Sequence, residues 1–220
     1  MMDDTPAHVT LGAIAACQAC SSETQWDVSH IDEMLRHGYD VNKNLGHIGG
    51  ILGFAVTSDK LPLVEHLLNR GADPNANLRG ETYSTLELAV ISNASLSIVS
   101  LLIDRGAVVK QRSAALFAAR DGRLDVLKHL IASGAGIDSI PDNEDVYDNA
   151  REQDDWGTPL HGAAGNGQAD CVAWLVRSGA SRDVKNHVGL TPREVAEKKG
   201  HERCVRLIDN NGDEGGCVIS

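Results

Sequence analysis

Aromatic residues make up 4% of this 220-residue chain, and two of them are Phe. A single compact core would draw on more large rings than that, so the apolar 42% of residues must be buried as thin aliphatic layers. No apolar run approaches the roughly 18 residues of a bilayer-spanning helix. The opening Met1-Met2-Asp3-Asp4 is acidic where a secretory signal is basic, so a cytoplasmic protein is expected. Basic excess is missing too: the formal net charge of -11 excludes nucleic acid and anionic membranes as partners bound by charge alone. Cysteine is scarce and unpaired in pattern. Cys17-Gln18-Ala19-Cys20 has redox or zinc spacing, but no second Cys or His pair follows it, so it reads as an ordinary helix segment and disulfides are not expected. Phosphate-cradling glycine loops, nucleophile elbows and paired-His helices are also absent, and the acids do not follow calcium-loop spacing. The expectation is therefore no cofactor, no metal and no catalytic residues.

What the chain does have is a period. Thr158-Pro159 returns as Thr191-Pro192, Ala163 as Ala196, Cys171 as Cys204 and Gly179 as Gly212, all at one common offset. That offset, about 33 residues, marks stacked supersecondary units. Within a unit, Thr158 suits a helix cap and Pro159 the first helical turn, where its missing amide costs nothing. Gly179 falls where a second helix should end in a left-handed residue. With the alanine and the terminal glycine as rulers, further copies run from Ala55 to Gly71, Ala89 to Gly106 and Ala118 to Gly134, with a stretched first copy from Ala15 to Gly38. Second helices are legible as apolar stripes at Leu63-Val64 with Leu67-Leu68, at Ile98-Val99 with Leu101-Leu102, and at Val126-Leu127 with Leu130-Ile131. Cys171 and Cys204 share one second-helix position, that of a small buried hydrophobe.

The block Thr158-Pro159-Leu160-His161-Gly162-Ala163-Ala164, followed by Gly167, Trp174-Leu175 and Gly179-Ala180, resembles the ankyrin repeat. The resemblance implies an all-α solenoid of about six helix-turn-helix repeats, approximately 7–42, 43–76, 77–110, 111–140, 156–185 and 186–212. The insertion before the fifth repeat, together with Trp156-Gly157-Thr158-Pro159-Leu160-His161, looks like that of small solitary ankyrin-repeat proteins of filamentous fungi. The block is complete only in the fifth repeat: Glu87 stands at the histidine position of the third, and Gly53 at that of the second. His161 is expected to hydrogen-bond a neighbouring loop, and His66 and His129 to serve packing or surface roles.

Ankyrin-type stacks bind proteins with their hairpins and first-helix ends, which form a concave face. By position in the repeat, the resemblance places Thr57, Ser58, Ile91, Ser92, Arg120, Asp121, Asn166, Lys198 and Lys199 on that face. The stretch from Gly134 to Ala163 is much longer than its counterpart from Gly179 to Ala196, and the extra chain, 136–155, is acidic. Its Asp142, Glu144, Asp145 and Asp148, with Tyr147 and the following Trp156, are expected to enlarge the recognition surface and to steer a basic partner. The expected function is that of a non-catalytic, monomeric protein-binding adaptor. The alternative is a small-molecule binder or noncanonical enzyme using the groove beside the acidic loop.

The segment 213–220 is polar and glycine-rich and finishes in Cys217-Val218-Ile219-Ser220, which fits a prenylation box read by a farnesyltransferase. One lipid gives reversible attachment, so a cytoplasmic protein with a membrane-associated fraction is expected, its only membrane contact being the lipid on Cys217.

Overall fold

The computed structural model describes residues 28–44, 50–76, 83–110, 113–141 and 154–213. Among these every regular element is a helix: α1 (Ser29–Arg36), α2 (Ile51–Thr57), α3 (Leu61–Asn69), α4 (Thr85–Ile91), α5 (Leu96–Asp104), α6 (Ala114–Arg120), α7 (Leu124–Ala132), α8 (Pro159–Gly165), α9 (Ala169–Arg177), α10 (Pro192–Lys199) and α11 (Glu202–Asp209). From α2 onward first helices and second helices alternate. The first-helix candidate around Ala15 lies outside the described residues. The chain divides into two compact units, Met1–Ala107 and Val108–Ser220.

In the first unit, α2 lies against α4 and α3 against α5. The second-helix stripes supply Leu63, Val64, Leu67, Ile98, Val99 and Leu102 to the core, all 0% exposed, and the first helices add Ala55, Val56, Ala89 and Val90, also 0% exposed. Polar bonds tie each repeat to the next. The Asn42 side-chain amide donates to the Gly71 carbonyl, and Asn75 donates to that of Gly106, at 3.2 and 2.8 Å. Asp59, held at φ 50, accepts from the Ser95 amide at the start of α5 at 2.7 Å. Glu87 fills the histidine position productively. Its carboxylate accepts from the Ser84 amide at 2.8 Å while the Ser84 hydroxyl accepts from the Glu87 amide, a reciprocal cap that satisfies two donors at the start of α4. No side chain caps α2, which follows Gly50.

In the second unit, α6, α8 and α10 pack side by side, and α9 packs on α11. Ala114, Ala115, Ala118 and Ala119 are all buried, small side chains that let neighbouring helices approach closely. A Cβ on Gly162 would stand 2.7 Å from Leu116 Cδ1 and 3.0 Å from the Leu116 carbonyl oxygen, so α8 approaches α6 to within the size of a methyl group. Gly179 takes φ 88, and the amide that follows it, of Ala180, closes α9 on the Leu175 carbonyl at 3.0 Å. Cys171 and Cys204 are free and buried. Burial pushes the Cys171 thiol up to about 11, with Asp170 and Asp125 adding to the shift, so it behaves as the small hydrophobe that its position requires.

Candidate protein-binding surface

The residues expected on the recognition face divide by unit. In the first unit they terminate α2 and α4. The Thr57 hydroxyl donates to the Phe54 carbonyl at 3.0 Å and the Ser92 hydroxyl to the Leu88 carbonyl at 2.6 Å. Their donors are spent on their own helices, and beside them Ile91 is 37% exposed. Ser58 follows α2 as its C-cap.

In the second unit the first-helix ends carry charge. Arg120 closes α6, with its guanidinium carbon 5.3 Å from the Phe117 ring centroid and 3.7 Å between its Nε and the Asp121 carboxylate. Trp156 meets the same ring edge-on, with centroids 6.0 Å apart. It is 4% exposed, so its ring belongs to the core and leaves the open recognition face. It anchors the end of the acidic insertion instead.

That anchor is extended by Asp154 and Asp155. Lys198 donates to Asp154 Oδ1 at 2.8 Å, and Asn166 donates to Asp155 Oδ2 at 2.7 Å and to the Gly162 carbonyl at 3.0 Å. The Asn186 amide reaches the Asp154 carbonyl. Asn186 also accepts from the amides of Val188 and Leu190, holding the hairpin before α10. Gly165 is what lets Asp155 sit there, since a Cβ at that position would lie 2.6 Å from the Asp155 Cβ and 3.0 Å from Val195 Cγ1. The structure thus brings Asn166 and Lys198 together through two aspartates, while Lys199, next to Lys198, is exposed. Asp142, Glu144, Asp145, Tyr147, Asp148 and Cys217 lie outside the described residues.

His161 is fully buried. Its Nδ1 accepts from the Thr158 amide at 3.1 Å, which leaves the proton on Nε2, and that nitrogen donates to the Leu190 carbonyl at 3.0 Å. Burial lowers its pKa, partly offset by the Leu190 bond. The histidine is a neutral clip between α8 and the next hairpin, as its position in the repeat predicts. Gln168 and His201, one repeat apart, form a similar pair that sequence reasoning missed. They bond the carbonyls of Arg120 and Gly165 at 3.1 and 3.2 Å, and their shared register was the available signal.

Where the turns join first and second helices, an open depression of about 190 Å³ is lined by Gly122, Gly167, Gln168, Asp170, Cys171 and Arg203. None of these is a predicted site residue. Among the described residues no three metal-ligating side chains gather, and no helix is long and apolar enough to cross a membrane.

A family model described as "Ankyrin repeats (3 copies)" matches residues 52–141 and 116–215, well over half of the chain. Alpha-latrocrustotoxin-Lt1a of Latrodectus tredecimguttatus is 28% identical over 69% of this chain. Protein glp-1 of Caenorhabditis elegans is 28% identical over 84%. Ankyrin repeat protein nuc-2 of Neurospora crassa is 29% identical over 70%. The chain spans only 10%, 15% and 14% of these three relatives. An ankyrin repeat domain from Acinetobacter baumannii superimposes with a TM-score of 0.68 at 21% identity, covering 92% of this chain and 97% of that one.

Proposed function

Because the chain belongs to the ankyrin-repeat family, we propose that it is a non-catalytic adaptor that binds a protein partner through the ends of its first helices. Ankyrin repeats are in general protein-binding scaffolds. The observation that carries the reading further is the Asp154–Lys198 and Asp155–Asn166 pairing. It fixes the point where the acidic insertion rejoins the repeats onto the very residues that the repeat register assigns to recognition. The acids Asp142, Glu144, Asp145 and Asp148 of the insertion would favour a basic partner. Where Ser220 is the natural carboxyl terminus, a farnesyl group on Cys217 would add reversible membrane attachment.

The test is affinity capture from native cells with the full chain and with a variant in which those four acids are amides. Captured partners are identified by mass spectrometry, and association rates are measured on them at several salt concentrations. A slower, less salt-dependent association for the amide variant supports the insertion's role, whereas identical rates dismiss it. Intact mass of the native protein reports on Cys217.

A further inference from the structure

The turns that follow the first helices differ between the two units. In the first unit the left-handed position is held by Asp59 and Asn93, at φ 50 and 59, and the Asp59 carboxylate reaches across to the Ser95 amide of the next repeat. In the second unit Gly122 and Gly167 take that position, at φ 72 and 70, and bring no side chain to it. The depression of about 190 Å³ opens there. Its volume is below the roughly 300 Å³ at which small-molecule pockets begin, so it has room for one side chain.

The first turn of α9 lines this depression, and from it Asp170 presents a carboxylate that is 81% exposed. Arg203, from α11, is the other charged group of the lining. Its 3.7 Å approach to Asp170 is too long for a hydrogen bond and, between exposed groups, weak. Asp125 has the position on α7 that Asp170 has on α9, and it too is exposed. Both carboxylates act on the Cys171 thiol in the lining: burial is the main cause of its upward shift, the two aspartates add to it, and the opposing contribution of Lys128 is the smallest. The net field at the thiol is negative, which favours a cation beside it.

We propose that the depression receives a lysine side chain of the protein partner, with its ammonium on Asp170, within the field of Asp125, and its stem over the bare turns at Gly122 and Gly167. The site adjoins Asp121 and Asn166 in the chain. The proposal therefore rests on the reading of first-helix ends as the recognition face, and it assigns the partner's chemistry at one point of that face.

The experiment titrates Nα-acetyl-lysine methylamide, to roughly 50 mM so that a millimolar site is filled, into the isotope-labelled full chain and follows the amide NMR shifts. A free probe is used so that failure here is read separately from failure of partner capture. The Gly122, Gly167 and Asp170 amides should shift saturably, with no such shift for the norleucine analogue, which has an apolar stem and no charge. Asp170→Asn should weaken the probe about fivefold, the effect of losing a well-placed exposed ion pair. Arg203→Gln, which removes the competing cation, should tighten it. The spectra themselves show whether each variant is folded, and Asp125→Asn, expected to weaken the probe by a smaller factor, takes the place of an Asp170→Asn chain that is not. No saturable shift, or equal shifts with the norleucine analogue, overturns the proposal. So does saturable binding of acetate that Arg203→Gln abolishes, which would make the depression an anion site.

Discussion

Gly165→Ala sets two effects of opposite sign against each other. Alanine in place of glycine inside a helix gains about 0.5–1 kcal/mol of backbone propensity. Here the new methyl would arrive 2.6 Å from the Asp155 Cβ and 3.0 Å from Val195 Cγ1, closer than carbon atoms pack. Overpacking of this kind costs about 1–3 kcal/mol. Asp155 must also shift away from Asn166, weakening a charge-assisted bond worth about 1.5–3 kcal/mol. The losses win, and a net destabilisation of about 1–3 kcal/mol is expected, a fall in Tm of roughly 2–4 °C per kcal/mol for a chain of this length. Because repeat arrays unfold in parts, the assay is a double-mutant cycle by urea unfolding, followed through tryptophan fluorescence. Asp155→Gly removes the obstructing Cβ. In that background Gly165→Ala should cost less by at least about 1 kcal/mol, to within the residual contact with Val195. Equal costs in both backgrounds would refute the close packing of Asp155 on α8.

Ala163→Leu should lose about 1–3 kcal/mol by overpacking a fully buried position, and an unchanged unfolding midpoint would place Ala163 outside the packed layer. Glu87→Ala removes the reciprocal cap of α4 and should cost about 0.5–2 kcal/mol, read as earlier hydrogen exchange in α4. The lowered pKa of His161 means that the unfolded chain takes up its proton first as the pH falls. The clip's contribution is therefore complete above the ordinary value of about 6.5 and is lost progressively as the pH drops toward the lowered folded pKa. Comparing pH–stability curves of wild type and His161→Gln should show the steeper acid decline in the wild type, and parallel curves would contradict a buried neutral histidine.

Much of this architecture is written in the sequence because a repeat prints the same physical requirement many times. A terminal glycine with φ near 90°, as at Gly71, Gly106 and Gly179, is needed wherever a second helix turns into a hairpin, so its register survives when the rest of the motif has drifted. What occurs once leaves no such record. Asp154 and Asp155 close an acidic run, and nothing in that run distinguishes a solvated aspartate from one bonded to Lys198 or Asn166. Trp156 reads in the sequence as a contact residue, and its burial against Phe117, from the preceding repeat, decides for the core. Glu87 looked like a departure from the motif, yet a carboxylate at the third position after Ser84 can cap that helix start as the histidine does after Thr158.

The central claim, recognition by first-helix ends, is tested most directly by hydrogen exchange of the full chain with and without a captured protein partner. Protection at Ser58, Ser92, Asp121, Asn166 and Lys199, together with the acidic insertion, is the predicted pattern. Protection confined to the outer surfaces of α7, α9 and α11, with the first-helix ends exchanging as in the free protein, would contradict it.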